Sequence, residues 1–509
     1  MNPNYLKPRQ SARRKRYSRP LVHEKITKFS QSGQTQQAFA KEHNIPPATF
    51  QYWTTRIPPD APVAEFFEST VGLECLHRIV LAARFLVTLC CGGGIRMVSL
   101  FLQLSQLDRF VAASTGSQHA AQVEMEEAIG SFEKEQKPRL VAGMKSKVIS
   151  ISEDETFHPK ICLVGIEPVS NYIFLEKYVE KRDAETWNGA VVEALEGLPI
   201  KVIQSVSDEG RALVKHIKEG LGVHQAPDLF HVQNELNKAT SYPLRSQLRR
   251  LKEAQEQGKA TEQQVEAAES RVERAKSSIQ GLSEAYHLFD LKNGQVQSRQ
   301  EVGDKLDLHL VEIEKVATEA GLGERSQERI AKAKRVLPKM RETIAFVYQL
   351  IVSRVFALQR SKDVNQLLFQ YLLPGLYLQK IAKQTREAEK KHELVEKANE
   401  LLACWNRDGP EDKAELERLA EDWVMLFVRT SSMVEGRNSH LRQRHRSLHR
   451  LSERTLRALT VVHNYFIQRS DETTAAERFF GQKPDDLFEY LVKNLEVPRR
   501  PAKKRNKAA

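Results

Sequence analysis

Three carboxylates stand where a sequence could place metal chemistry: Asp154 in Val148-Ile-Ser-Ile-Ser-Glu-Asp-Glu155, Asp208 in Val202-Ile-Gln-Ser-Val-Ser-Asp-Glu-Gly210, and Glu435 in Ser431-Ser-Met-Val-Glu-Gly-Arg-Asn438. The first two close runs dominated by Val and Ile, the composition of a buried strand. An acid at the carboxyl end of such a strand projects into the crevice where α/β sheets place their sites. With a third carboxylate from a later helix, the set makes an oxygen-rich cluster suited to Mg²⁺ or Mn²⁺. Two such ions, ~3.5–4 Å apart, can activate a water or a 3′-hydroxyl and stabilise the oxygen leaving a phosphodiester. Each acid also has a structural use open to it. Asp154 lies in an acidic triplet that could be a solvated turn, Asp208 could cap the helix after it, and Ser432 with Glu435 forms a capping-box pattern.

Positioning these acids requires a sheet. Lys147–Ser152, Ile161–Glu167 and Tyr172–Val179 read as three consecutive strands joined by short turns, hence an antiparallel meander. Ala184–Leu195 reads as a helix, Ile200–Ser207 as a strand, Glu209–Glu219 as a helix, and Val223–Phe230 as strand-like, running into a helix at His231. Past Asn234 the pattern becomes helical. Leu244–Ala285 carries apolar residues at helical spacing on both sides of Gly258, an antiparallel hairpin of coiled-coil type. Helices then continue to Trp423, with breaks at Gly321, Pro338, Pro374 and Gly409-Pro410. The expected organisation is an α/β core at 145–240, an all-α insertion at 241–424, and completion of the core at 425–495 by a basic helix from Val434 to about Arg446 and a second over Ser452–Gln468.

Ahead of the core, residues 1–20 form a basic arm expected to be disordered. Within 21–57, Thr35–Trp53 reads as a helix-turn-helix. Ala40 would sit at the close crossing, Asn44 at the left-handed turn position, Ile45 in the core and Pro47 at the first turn of the second helix. Phe50 and Trp53 would face inward, leaving Thr49, Gln51 and Arg56 for a major groove. Pro58–Pro62 reads as a linker, and 63–140 as a helical region that is either a second helix-turn-helix or an adaptor onto the core. Residues 496–509 read as a basic disordered tail.

The net charge of +12 and pI near 9.3 point to a polyanionic partner, of which nucleic acid is the usual one. The five cysteines form no Cys-x-x-Cys pair, which argues against a zinc site or a disulfide framework and fits a reducing, cytoplasmic setting. The polar and then basic start is not the pattern of a signal peptide. The longest apolar stretch, Ile79–Cys91, is roughly 13 residues against the ~20 needed to cross a bilayer.

Taken in order, Ser152-Glu-Asp-Glu-Thr-Phe157, Ser207-Asp-Glu-Gly-Arg-Ala212, Asp228-Leu-Phe-His-Val232 and Val434-Glu-Gly-Arg-Asn438 resemble the signature blocks of bacterial insertion-sequence transposases of the DDE class. The resemblance covers roughly 145–240 and 425–470. It implies an RNase H-like core (the retroviral integrase superfamily), Asp154, Asp208 and Glu435 as catalytic metal ligands for two Mg²⁺ or Mn²⁺ ions, and His231 beside the site. It also implies double-stranded DNA as partner and a homodimer or larger assembly, because two transposon ends must be joined. Arg437 and Asn438 are expected at phosphate, and Arg442, Arg444 and Arg446 on the DNA backbone. The gap from Asp208 to Glu435 is far longer than in compact members of the class. The competing expectation is a non-catalytic, sequence-specific DNA-binding protein that keeps the reading helices and not the chemistry.

Overall fold

The computed structural model describes residues 17, 19–54, 66, 67, 69–158, 160–448 and 451–501. Arg56, the Pro58–Pro62 linker, nearly all of the amino-terminal arm and the tail beyond 501 lie outside the described residues. The chain divides into two compact units, the first built from residues up to 135 with 447–449 and 485 onward, the second from 136–446 and 450–484.

In the first unit, α1 (Arg19–Ser32), α2 (Gln36–Glu42) and α3 (Pro47–Thr54) close on Val22, Phe39, Ala40, Ile45, Phe50 and Trp53. Thr35 caps α2 by accepting from the Ala38 amide. Asn44 turns the chain at φ +52, and Pro47 opens α3 as its spacing predicts. Thr49 is half-buried and Gln51 exposed. Next, α4 (Thr70–Phe85) runs into a π-helical turn, Leu86–Cys90, followed by α5 (Ile95–Leu104) and the long α6 (Thr115–Ala142). The turn expected at Ser114–Ser117 is the start of α6, with Ser114 Oγ accepting from the Ser117 amide. A closing helix, Leu487–Asn494, returns to α4, where His77 Nε2 meets the Val492 carbonyl at 3.1 Å. The tail expectation is corrected at its start: the Arg499 carbonyl accepts from the Ala112 amide at 2.7 Å and its guanidinium pairs with Glu124.

The second unit holds a five-stranded mixed sheet in the order β3-β2-β1-β4-β5. Strands β1 (Lys147–Phe157), β2 (Ile161–Glu167) and β3 (Tyr172–Val179) are antiparallel, while β4 (Ile200–Ser207) and β5 (His224–Pro227) run parallel to β1. Two boundaries differ from expectation. β1 continues through the acidic triplet to Phe157, because Ser152–Phe157 pairs with Ile161–Ile166 even though β4 stops pairing at Ser152. β5 ends at Pro227, since Asp228 takes the Phe230 amide and caps a helix.

One face of the sheet packs Leu163 and Leu175 against Trp187, Ala190 and Val191 of α7 (Ala184–Leu195), Leu213 of α8 (Arg211–Lys215) and Ile217 of the π-helical turn after it. From α9 (Leu229–Leu236) the chain enters a helical block with its own continuous core, from Leu229 to Phe427. In this block α10 (Tyr242–Glu256) and α11 (Glu262–Ala285) form the hairpin around Gly258, at φ +70. They are followed by α12 (Arg299–Glu319), α13 (Glu324–Lys334), α14 (Leu337–Ala357), α15 (Lys362–Leu367), α16 (Leu373–Gln384), α17 (Ala388–Asp408) and α18 (Lys413–Met425). α14 lies along β5, where His224 bonds Thr343 Oγ1 at 2.9 Å and stacks on Phe346, so the sheet edge is covered.

The chain then returns to the second face of the sheet. Ser150 Oγ donates to the Leu426 carbonyl, and Gln204 Nε2 to that of Val428. Helices α19 (Ser432–Leu448), α20 (Glu453–Tyr465) and α21 (Ala475–Phe480) follow. Asn464 of α20 accepts from the Ile173 amide and donates to its carbonyl, and Tyr172 stacks on Phe479 of α21 at 4.3 Å. No helix among the described residues is long and apolar enough to cross a membrane.

Candidate metal centre

Alternation along β1 sorts the acidic triplet. Successive side chains of a strand point to opposite faces, so Glu153 and Glu155 share one face and Asp154 takes the other. Glu153 is fully buried, accepting from Ser205 Oγ and meeting His216 Nε2 at 3.3 Å. Glu155 pairs with Arg182 at 2.7 Å. On the other face Asp154 lies opposite Val164, and Val164 opposite Glu176, which places Asp154 and Glu176 in one row across three strands.

α19 lies over that row. Asn438 Nδ2 donates to Asp154 Oδ2 at 2.8 Å, and Arg437 grips Glu176 with two bonds of 2.7 and 2.6 Å, reinforced by Thr460 Oγ1. The start of α19 is fixed by Asp228. Its Oδ1 accepts the Phe230 and Ser431 amides, its Oδ2 accepts the Ser431 hydroxyl at 2.5 Å, and the Leu229 amide donates to the Arg429 carbonyl. One turn into α19, Glu435 Oε1 stands 3.2 Å from His231 Nε2, and His231 is 3.7 Å from Asp228. The capping-box alternative for Glu435 is therefore not the arrangement found.

Ligand atoms of Asp154, His231 and Glu435 all lie within 4.8 Å of one another. Burial, then the charges of Glu435 and Asp208, push the Asp154 carboxyl up to about 7. His231 is raised to about 9, first by its contact with Glu435 and then, against the effect of burial, by Asp228. Glu435 is held below the usual carboxylate range, mainly by His231. Without metal, then, a proton on Asp154 and a charged imidazole neutralise a site built with too much negative charge. Two carboxylates and an imidazole converging this closely fit a divalent cation, with Mn²⁺ tolerating the nitrogen better than Mg²⁺.

Asp208 stands outside that trio. It is close enough for its charge to raise Asp154, but its Oδ1 accepts the Gly210 amide at 2.9 Å, the local bond of a turn. A Cβ at Gly210 would lie 2.8 Å from that oxygen, so any larger residue there would have to turn the Asp208 carboxylate aside.

Three arginine-helix expectations are corrected. Arg437 and Asn438 are 7% and 0% exposed and spent on Glu176 and Asp154, so they hold the site together and do not reach phosphate. Arg444, 3% exposed, is part of the buried face of α19. Arg442 and Arg446 are exposed, and Arg442 also lies 3.8 Å from Glu435. Sequence reasoning missed Glu176 and the clamp at Asp228. The available signal was an acid in mid-strand; that Glu176 shares a face with Asp154 follows only from the register of the three strands.

A family of unknown function, DUF6399, matches residues 368–507, which include α19 with Glu435 but neither Asp154 nor Asp208. No curated protein matches the chain.

Proposed function

We propose that the protein is a DNA transposase of the DDE class with an RNase H-like core, interrupted by a helical insertion before its final acid. The observation that carries this reading is the meeting of Asp154, on the central strand, with Glu435, on a helix about 280 residues later, beside His231 in the first turn of α9. The strand order supports it: three antiparallel strands with two parallel strands added beside the first, which is the RNase H-like order.

Asp154, Glu435 and His231 would hold the divalent cation, which supplies activation of a nucleophilic oxygen and stabilisation of the leaving one. Asp208, just past the end of the neighbouring strand β4, would complete the oxygen set for a second ion. Asn438 fixes the rotamer of Asp154, and the Asp228 clamp fixes the entry of α19 and with it Glu435. His231 holds positive charge against Glu435 until the site is filled. The exposed Arg442 and Arg446 supply backbone affinity, and the helices around Asn44 supply end recognition. Hydrolysis at the transposon end and attack of the 3′-hydroxyl on target DNA are both in-line displacements that one site can perform, with two protomers bridging two ends.

One observation favours the second reading, a DNA-binding protein without chemistry: Asp208 lies outside the close trio and already serves a turn. Cleavage of DNA carrying the element's own ends separates the two. Cutting by wild type with Mg²⁺ or Mn²⁺ that is lost with EDTA and in Asp154→Asn and Asp208→Asn, while end binding persists, is the expected result. End binding with no cutting under any divalent ion would leave the binding protein.

A further inference from the structure

On the far side of the α19 amino terminus lies a cavity of about 480 Å³, bounded by α16, the Met425–Met433 segment, the β2–β3 turn and Arg469. Its charge is one-sided. Lys380, Lys383, Arg429 and Arg469 line it and no carboxylate does. Among the described residues, none of the four has a carboxylate within 4 Å.

Helix ends explain part of this arrangement. Lys380 Nζ donates to the Val424 and Phe427 carbonyls at 2.8 Å each, at the carboxyl end of α18. Arg429 donates to the Ser283 and Tyr286 carbonyls at 3.0 and 2.9 Å, at the carboxyl end of α11. A helix carboxyl terminus offers about half a negative charge, so the two cations are roughly half compensated. Arg429 also meets His287, which burial and then Arg429 itself hold neutral, so this third contact adds no negative charge. Burial, and then Arg429, push the Lys380 amine down to about 7, as befits an ammonium lacking an anion. Exposed Lys383 and Arg469 add two more charges at the mouth. The first residues of α19, Ser432 and Met433, also line the space, but the positive end of that helix is already met by Asp228 through the Ser431 amide and hydroxyl, so it adds little to the balance.

Charge held away from bulk water is ordinarily paired; Lys380 and Arg429 are half-buried, and the partner they lack is an anion with several oxygens, able to accept from lysine and arginine together. We propose that this cavity is a phosphate-binding site, taking either a backbone phosphate of bound nucleic acid or the phosphate of a free phosphate ester. The inference rests on the charge and shape of the cavity and needs neither the metal nor cleavage.

The test uses the full chain in EDTA, so that no chemistry intervenes. Inorganic phosphate, compared with chloride at equal ionic strength, is titrated into wild type and into Lys383→Ala/Arg469→Ala, whose changes are at exposed positions. Calorimetry and thermal midpoint are read together. Saturable phosphate binding by wild type, weakened about tenfold or more in the double variant as expected for lost charge-assisted hydrogen bonds, supports the site. Lys380→Met should abolish it, and the double variant keeps the test decisive if that protein fails to fold. A labelled DNA duplex then distinguishes the sources. If its affinity falls in parallel and its salt dependence becomes shallower, the occupant is a backbone phosphate. If duplex affinity is unchanged while phosphate binding is lost, the occupant is a free phosphate ester. No phosphate binding by wild type at millimolar concentration, or equal binding by the double variant, overturns the proposal whatever the cleavage assay shows.

Discussion

Glu435 and Arg437 stand two residues apart on α19 and belong to opposite kinds of buried charge. Arg437 meets Glu176 with two short bonds and a third from Thr460, a balanced pair whose side chains are 6% and 0% exposed. Glu435 faces Asp154 across a site where negative charge exceeds positive, so that Asp154 holds a proton to about 7 and His231 holds one to about 9. The first arrangement is complete within the chain. The second becomes complete only with a cation from outside, and that contrast separates a structural salt bridge from a candidate ligand site more clearly than residue type does.

Breaking the balanced pair should give the largest effect. Arg437→Met leaves Glu176 buried and unpaired, which costs about 3–5 kcal/mol by the general behaviour of such pairs, and Arg437→Met/Glu176→Leu should recover most of it. Urea unfolding measures both, and an unchanged midpoint for Arg437→Met would place the two clusters on the same footing. Breaking the unbalanced site should act with the opposite sign. Because the Asp154 carboxyl is raised from 3.8 to about 7, the folded metal-free protein binds the extra proton and loses stability as pH rises through that range. Asp154→Asn should therefore match wild type near pH 4 and exceed it above pH 7 by a few kcal/mol, while losing any stabilisation by Mn²⁺. Thermal midpoints across pH, with and without Mn²⁺, read both effects.

The acid side sharpens the comparison further. His440 and His463 are held down to about 4, chiefly by burial and then by Arg437. A depressed imidazole contributes stability that is complete above its ordinary pKa of 6.5 and lost as pH falls from there through about 4. The balanced cluster should thus fail in acid and the unbalanced one in base. Replacing His463 by Gln should flatten only the acid limb of the stability profile. A smaller loss, about 0.5–1.5 kcal/mol, is expected for Gly210→Ala, whose new Cβ meets Asp208 Oδ1 at 2.8 Å and turns that side chain from its rotamer. Arg442→Ala should be least disturbing to stability, within about 0.5 kcal/mol, while lowering the salt slope of DNA binding by about one.

The strands were legible wherever Val and Ile dominate, in β4 and the first half of β1, and so was the break between sheet and helical block. The second half of β1 was not, because Glu153-Asp-Glu155 has the composition of a turn and becomes a strand only through pairing with β2 and burial on both faces. Asp154 and Glu435 were legible as candidates from their place beside Val-rich and basic elements. The burial of Arg437, Asn438 and Arg444 was hidden for a related reason: their partners, where known, lie more than 250 residues earlier in β1 and β3. A polar helix over a polar row looks like solvent exposure until the sheet is assembled.

The insertion also imposes an order in time. Glu435 follows Asp208 by roughly 230 residues, and at ribosomal rates of ~5–20 residues per second the third carboxylate emerges roughly 10–45 s after the second. Throughout that interval the nascent sheet has one face bare, since Leu426, Val428 and α19–α21 that cover it are not yet made. The chain cannot bring Glu435 to Asp154 until the whole helical block between Asp208 and Glu435 has been synthesised.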